Sequence, residues 1–343
     1  MGISLRTHKI LWGRSGGKCA ICKNDLITSI SDLGDDPAIV GDEAHIIARS
    51  ESFSRGNYDS LRPEERDHYS NLILLCKNHH KQIDDQPEYF TVERLREIKT
   101  AHETEIKSQL TGADVQKQRD EILYAGYVDH WERVSELAEW RNISSWVNFA
   151  GDQGLPRDWY EAQKQFLIWI LGRIWPRRYQ TLEKAFQNYA SVLRDFINVF
   201  EAHVRQEREN DSGIYTEKFY KIQWHEQERY DKLSKQYESH VDLVCDLFFE
   251  LTRAANYICD RVRENIFPDY RLEEGVLLIE RNSVGFQLET IRARVEYRGE
   301  ERTDHPYPGL EEFKEIRYTR DYAIDPEYPT HADFLARLNE EDI

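Results

Sequence analysis

Two pairs of potential metal ligands constrain the fold of this chain more than any other feature of its sequence. Cys19 and Cys22 form the first pair, Cys76 and His79 form the second, and two residues separate the members of each pair. Three thiolates and one imidazole make a complete tetrahedral zinc set, and this spacing lets two ligands converge from one turn or helix start. The sequence therefore predicts a structural zinc ion that joins two distant segments.

Length and composition favour a protein with two domains and sizeable cores. The chain has 343 residues, of which 40% are hydrophobic and 12% aromatic. No run of 18 apolar residues is present, and the first ten residues lack the apolar region of a secretory signal. We therefore expect a cytoplasmic protein with no membrane partner. The five cysteines are an odd number and do not indicate a disulfide framework.

Hydrophobic patterning divides the chain into expected domains of residues 1–112 and 113–343. In the first, helices are expected at 3–17, from Lys77 to before Pro87 and at 92–110, and strands at 43–48 and 72–75. In the second, apolar residues at three- and four-residue steps over 182–204 and 230–262 predict long helices in an antiparallel pair or bundle. The remaining expectations are a β-hairpin at about 272–298 with Asn282 and Gly285 in its turn, an extended polar tail over 299–331 and a short helix at 333–338.

The negative charge is concentrated in the C-terminal part. The formal net charge is −17, and residues 1–110 hold 15 Lys and Arg against 18 Asp and Glu, whereas the rest of the chain holds 31 against 45. Nucleic-acid binders neutralise phosphates with basic surfaces. The acidic excess therefore argues against a general DNA clamp in the C-terminal part, and it leaves room for a local basic strip in the N-terminal part.

Three motifs lie between or beside the ligand pairs. Residues 42–47 read DEAHII, residues 70–76 read SNLILLC and residues 78–84 read NHHKQID. In combination, over about residues 10–105, they resemble the HNH, or ββα-metal, endonuclease family. The resemblance implies two short strands and a helix that hold one divalent ion. The polar insert of residues 55–66 resembles that of HNH domains found as effectors in bacterial anti-phage defence.

This resemblance implies roles for individual side chains. His45 matches the general base, and an imidazole titrates near neutral pH, which suits it to take a proton from water. Asn71 matches the Asn whose amide holds the loop and orients the base. His80 matches a ligand of the catalytic ion, Mg²⁺ or Mn²⁺. Asp84 lies four residues later on the same helix face and is a second candidate ligand.

One departure from the family pattern leaves the ligand set of the catalytic ion open. Many members carry Asp or His directly before the general base, where this chain has Ala44. Glu43 shares the strand face of His45, so either Glu43 or water takes the missing position. Lys81, beside His80 on the expected helix, and Arg49 are candidate phosphate contacts, although charged loop residues are usually only solvated.

The expected fold class is α+β, with a small zinc-stapled ββα-metal domain followed by a mainly α-helical domain that has long antiparallel helices and a C-terminal β-hairpin. The expected function is cleavage of DNA by an endonuclease in anti-phage defence. An ungated nuclease would damage its own genome, so we expect gating through the helical domain by assembly, a ligand or a partner, with a homo-oligomer or a defence-system protein as partner. The alternatives are a zinc-stabilised adaptor without catalysis, favoured by Ala44 and the net charge of −17, and an RNA-directed nuclease.

Overall fold

The computed structural model describes residues 2–28, 38–49, 55, 61–62, 65–149, 152–205, 212–221, 227–282 and 290–320. Contacts between Cα atoms group the chain into an N-terminal unit, Met1–Asp129, and a C-terminal unit, His130–Ile343. The division falls within one long helix, Gly112–Val134, and a functional boundary at the start of that helix stays a prediction. Among the described residues, no helix combines the length and the apolar character needed to cross a membrane.

The N-terminal unit combines short antiparallel strand pairs with helices. The strands are β1 (Ile27–Thr28), β2 (Ala38–Ile39), β3 (Gly41–His45) and β4 (Leu72–Cys76), and the helices are α1 (Leu5–Ser15), α2 (Lys77–Asp85), α3 (Val92–Gln109) and α4 (Gly112–Val134). β1 pairs with β2, and β3 pairs with β4 in a register that sets Asp42 opposite Leu75 and His45 opposite Leu72. β3, β4 and α2 therefore follow one another in the expected ββα order.

β4 lies at the centre of the core of this unit. Its residues 72–75 are all fully buried, because α1 and α2 both pack against the strand. A strand covered in this way carries consecutive apolar residues instead of alternating ones. Leu11 of α1 and Ile83 of α2 belong to the same cluster of buried side chains, so the ligand-bearing elements share one core.

Local signals set the ends of the helices in this unit. The Ser4 hydroxyl accepts a hydrogen bond from the N–H of Thr7 at 3.2 Å, and α1 ends at Gly16, whose φ of 60° lies in the left-handed region that favours glycine. Thr91 caps α3 by accepting a hydrogen bond from the N–H of Arg94 at 3.3 Å. α3 therefore begins at Val92, the residue at which the sequence predicts this helix to start.

The C-terminal unit is mainly helical. Its helices are α5 (Trp140–Val147), α6 (Arg157–Leu171), α7 (Gln180–Glu201), α8 (Gln227–Asn265) and α9 (Leu310–Arg320), and its strands are β5 (Gly154–Pro156), β6 (Gly213–Tyr215), β7 (Leu278–Asn282) and β8 (Thr290–Arg294). Thr181 near the start of α7 bonds to Asn265 at the end of α8, and the rings of Phe196 and Phe248 are 5.8 Å apart. The two helices therefore run antiparallel, and together with the β7–β8 hairpin they confirm the expected α+β class.

Two expectations for this unit were wrong, and two lie outside the described residues. Part of the segment 299–331, which was expected to be extended, forms α9, and Phe313 of this helix is fully buried. The segment was predicted to be extended because prolines lie just before the helix. β5 and β6 form an antiparallel pair where no strand was expected. Gly285 and the expected helix at 333–338 lie outside the described residues, and Asn282 pairs with Thr290 at the end of the hairpin ladder.

Candidate metal centre and active site

The two predicted ligand pairs come together in the N-terminal unit. One donor atom from each of Cys19, Cys22, Cys76 and His79 lies within 4.8 Å of the others. Nδ1 of His79 is 3.1 Å from Sγ of Cys76 and 3.5 Å from Sγ of Cys19, so Nδ1 is the nitrogen that faces the sulfurs. Three sulfurs and one nitrogen at these separations fit a tetrahedral zinc ion.

A tight turn presents the first pair of ligands. Cys19 and Cys22 flank the turn, and the N–H of Lys23 donates to the carbonyl O of Cys19 at 2.9 Å. Lys23 has a φ of 63°, in the left-handed region that such a turn requires. The N–H of Ala20 donates to the carbonyl O of Leu74 at 3.0 Å. The turn is thus tied to β4, the strand that ends at the second ligand pair.

The surroundings of Cys19 favour its thiolate. Burial of the side chain opposes ionisation, but hydrogen bonds from the backbone N–H groups of Cys22, Cys76 and Ile21 outweigh burial and lower the pKa of Cys19 below its ordinary value. A cysteine ligand of zinc must be deprotonated. The protein therefore favours the metal-binding form of this side chain by its own hydrogen bonds.

His45, the expected general base, lies at the end of β3 beside a carboxylate that the sequence analysis missed. Nε2 of His45 is 2.9 Å from Oδ1 of Asp67, and the two side chains are only 21% and 20% exposed. Oδ2 of Asp67 is 3.3 Å from Nη2 of Arg49. Asp67 directly follows the polar insert, a segment with neither helical nor strand periodicity, so no spacing in the sequence points to this pair.

Asn71 is buried and uses its side-chain amide to hold the backbone near His45. Its Oδ1 accepts a hydrogen bond from the N–H of Ile47, and its Nδ2 donates to the carbonyl oxygens of Ile47 and Arg66, each at 2.9 Å. Its own carbonyl O accepts from the N–H of Ile46 at 2.8 Å. These contacts join the segment that follows β3 to the segment that carries Asp67, which fits a loop-holding role.

His80 lies between two carboxylates from different elements. Its Nδ1 is 3.2 Å from Oδ2 of Asp42 on β3, and its Nε2 is 3.7 Å from Oδ2 of Asp84, one turn later on α2. His80 and Asp42 are both partly open to solvent. Carboxylate oxygens are the ligands that Mg²⁺ and Mn²⁺ prefer, and imidazole is a common metal ligand. Each of these donors is of a type that binds a divalent cation, but the two carboxylates contact opposite ring nitrogens of His80. Among the residues that the structure describes, only the cysteine-rich set brings three or more ligand atoms within 4.8 Å of one another.

Glu43 does not join this cluster. Successive strand residues point to opposite faces, so Glu43 points away from the face on which Asp42 meets His80. Its Oε1 accepts a hydrogen bond from Nε1 of Trp12 at 2.8 Å and pairs with Nδ1 of His8, both on α1. Only 9% of the side chain is exposed. Glu43 therefore lies apart from His80, and Asp42 is the carboxylate that β3 brings to His80.

A buried arginine from the polar insert connects the end of β3 to α2. Nε of Arg55 donates to the carbonyl O of Ile46 at 3.1 Å, Nη2 donates to Oδ1 of Asp84 at 2.7 Å, and Nη1 bonds to the carbonyl O of Ile83. One oxygen of Asp84 is therefore held by Arg55, while the other faces His80. The position of the Asp84 carboxylate depends on this arginine as well as on the helix.

The two expected phosphate contacts lie at the surface. Lys81 and Arg49 are each more than half exposed, and each already pairs with a carboxylate, Asp85 at 3.0 Å and Asp67 at 3.3 Å. Both cations are accessible to a phosphate, which would compete with these carboxylates. The Lys81–Asp85 pair is exposed on both sides and contributes little to stability, so exchange of this pair costs little.

Three chemical functions thus lie in one unit. The cysteine-rich cluster offers a closed set of four ligands, which suits a structural ion. The His45 imidazole is paired with a carboxylate and can accept a proton. Asp42, His80 and Asp84 offer oxygen and nitrogen donors of the kind that bind a cation beside a phosphate. Together these groups suit hydrolysis of a phosphodiester bond.

Comparison with protein families gives one match in this region. A family model described as an HNH endonuclease matches residues 19–91. The matched segment includes both predicted zinc-ligand pairs, His45, Asn71 and His80. A comparison with curated proteins finds no match to the chain.

Proposed function

We propose that this protein hydrolyses DNA with the help of a divalent cation, because a family model described as an HNH endonuclease matches residues 19–91. The observation that supports the proposal is that one short strand, β3, carries both a histidine with a carboxylate partner and a carboxylate that faces His80. His45 with Asp67 lies at the end of β3, and Asp42 with His80 lies near its start.

Each side chain has a defined task in this proposal. His45 takes a proton from the attacking water, and Asn71 holds the backbone on either side of the base. Asp42, His80 and Asp84 bind Mg²⁺ or Mn²⁺, which when bound offsets charge on the phosphate and on the leaving oxygen. Cys19, Cys22, Cys76 and His79 bind zinc and keep α2 in place. Lys81 and Arg49 contact phosphates.

The test of this function is cleavage of plasmid DNA by the full chain with Mg²⁺, with Mn²⁺ and with a chelator. We expect cleavage that depends on the divalent ion, and a loss of about 100-fold or more in His45→Ala, since a general base contributes this much. His305→Ala, at an exposed histidine of the C-terminal unit, is the matched control and should cleave like the parent. Undiminished cleavage by His45→Ala would reject His45 as the base.

Two alternatives are separated by parallel measurements. An adaptor without catalysis would hold one zinc per chain and show no cleavage that depends on a divalent ion; Ala44 and the net charge of −17 favour it. An RNA-directed nuclease would degrade RNA faster than DNA in digests run side by side. The carboxylate and imidazole cluster at His80 favours a catalytic protein over the adaptor, because an adaptor has no use for it.

We further propose that the protein acts in the bacterial cytoplasm as an anti-phage effector whose nuclease is gated through the helical domain. The support is the resemblance of the polar insert to those of defence effectors, together with the damage that ungated cleavage would do to the host genome. Expression in a bacterial host should lower the plating efficiency of some phages, and His45→Ala should abolish this effect. Equal protection by the two proteins would contradict a nuclease effector.

A further inference from the structure

Asp67 is held in place more firmly than a surface carboxylate on a loop. The preceding residue, Arg66, is buried, and its Nη1 donates to the carbonyl oxygens of Ala48 and Arg49 at 2.8 and 3.1 Å. The carbonyl O of Arg66 in turn accepts a hydrogen bond from Nδ2 of Asn71 at 2.9 Å. The backbone at Asp67 is thus tied both to the chain after His45 and to the residue before β4.

The contact between Asp67 and His45 is largely shielded from solvent. Four-fifths of each side chain is shielded from solvent, and the Nε2 to Oδ1 distance of 2.9 Å is that of a normal hydrogen bond. The second oxygen of Asp67 faces Nη2 of Arg49 at 3.3 Å. The carboxylate of Asp67 thus lies between a guanidinium on one side and the imidazole of His45 on the other.

An ionised carboxylate only accepts hydrogen bonds, so it dictates which ring nitrogen of His45 carries the proton. Nε2 must donate to Oδ1 of Asp67. In the neutral ring the other nitrogen, Nδ1, then has the free lone pair. The partner of one ring nitrogen commonly sets the tautomer and the orientation of a functional histidine in this way.

We propose that Asp67 is the positioning residue of the general base: it orients His45 and holds its proton on Nε2, so that Nδ1 receives the proton of the attacking water. The proposal rests on the nuclease function proposed above. In the proton transfer, the water O–H bond breaks and the N–H bond forms at Nδ1. The resulting hydroxide forms a bond to phosphorus as the bond from phosphorus to the leaving oxygen breaks, and the leaving oxygen takes a proton from solvent. Asp67 stays ionised and faces an imidazolium whose charge it stabilises.

The first experiment observes the tautomer directly and does not need activity. Long-range ¹H–¹⁵N correlation spectra of the zinc-loaded full chain at pH 8 report which imidazole nitrogens carry protons, and the spectrum of His45→Ala identifies the His45 signals. We expect the Nε2–H tautomer in the parent and a mixture of tautomers in Asp67→Ala. A parent signal of the Nδ1–H form, or an unchanged tautomer in Asp67→Ala, would overturn the proposal.

The second experiment measures plasmid cleavage by the same proteins. The cleavage rate of Asp67→Ala should be lower by about 10- to 100-fold, as for other residues that hydrogen-bond to the second ring nitrogen of a functional histidine. Asp67→Asn should lose less, because its amide oxygen can still accept from Nε2. Asp114→Asn, the same exchange at an exposed position near the start of α4, is the control and should cleave like the parent.

The two readouts separate this proposal from the nuclease function on which it rests. If the parent cleaves no nucleic acid, the function fails, while the spectra still decide whether Asp67 sets the tautomer. If the parent cleaves and Asp67→Ala cleaves equally well, the positioning role fails and the function stands. Zinc content and the melting temperature of each variant show whether a lost rate comes from a lost fold.

Discussion

At the scale of single residues, two adjacent carboxylates on β3 have separate tasks. Asp42 faces His80 on α2, and Glu43 faces His8 and Trp12 on α1. Successive side chains of a strand point to opposite faces, and this alone directs the two carboxylates to different helices. One carboxylate is thereby available to a cation at the surface, whereas the other is buried as part of the contact between β3 and α1.

This division makes a prediction for two matched substitutions. Asp42→Asn should weaken the binding of Mn²⁺ to the zinc-loaded protein by about 10-fold or more, because a charged oxygen ligand becomes a neutral one. Glu43→Gln, the equivalent change one residue later, should leave Mn²⁺ affinity unaltered and lower the melting temperature, because the carboxylate it replaces is buried against its partners. Electron paramagnetic resonance of free Mn²⁺ and calorimetry measure the two effects. An equal loss of affinity in both variants would contradict the assignment.

At the scale of elements, a buried ammonium anchors α3 to the start of β4. Nζ of Lys99 donates to the carbonyl oxygens of Tyr69 and Leu72 at 2.8 and 2.6 Å, and it lies 3.4 Å from Oε1 of Glu103. Burial lowers the pKa of Lys99 to about 8, although Glu103 opposes the shift. The helix therefore carries a group that is costly to keep charged inside the N-terminal unit.

The shifted pKa of Lys99 predicts how stability changes in alkaline solution. Between pH 8 and the ordinary lysine value of 10.5, the unfolded chain binds more protons than the folded one, so this residue's contribution to stability rises with pH. From pH 8 to pH 10 the parent should gain about 2 kcal/mol relative to Lys99→Met. Urea unfolding of both proteins at each pH measures the difference. A constant difference would mean that Lys99 has an ordinary pKa when folded.

The elements were predictable from the sequence to the extent that a local pattern specifies them. The zinc pairs have a recognisable spacing, and the stripes of α7 and α8 have a helical period. β3 was expected at 43–48 and lies at Gly41–His45. In a strand with polar residues on both faces, apolar alternation does not tell which face meets the helix, and Asp42 was missed for that reason.

Contacts across the polar insert could not be predicted. Asp67 meets His45 and Arg55 meets Asp84 across 22 and 29 positions of the sequence. No turn signal or periodicity relates the partners, and a charged residue in a polar segment is usually solvated. Only the folded chain shows that the side chains of Asp67 and Arg55 point inward. The family resemblance therefore predicted His45 as the base but did not predict these contacts.

At the scale of the whole molecule, three large apolar side chains near one another in the sequence of the C-terminal unit are exposed to solvent. Ile168, Leu171 and Ile174 are 68%, 85% and 84% exposed at the end of α6 and just beyond it. Residues 162–182 contain four basic residues and no acidic one, whereas the chain after residue 110 holds 31 basic and 45 acidic residues. A second copy of the chain carries an acidic excess that would complement the basic residues here, and exposed apolar groups commonly mark interaction sites.

Self-association through this patch is the corresponding prediction. The parent should form a dimer or larger oligomer in light scattering after size exclusion, and Leu171→Glu combined with Ile174→Glu should shift it toward the monomer and reduce cleavage. Leu272→Glu, at another exposed apolar residue of the same unit, should do neither. A parent that is monomeric and fully active would contradict assembly as the gate and leave a ligand or a separate partner protein to be tested.

The adjacency of His79 and His80 has a practical consequence for inhibition experiments. One of these neighbours faces the three sulfurs, and the other faces Asp42 and Asp84. A chelator strong enough to remove zinc would release the first turn of α2, and the orientation of His80 would be lost with it. Inhibition by such a chelator would therefore not identify the ion that takes part in the reaction. The ion is identified by adding metals back and measuring cleavage. After brief treatment with the chelator, magnesium alone should restore cleavage, whereas protein from which all metal has been removed should need zinc before magnesium.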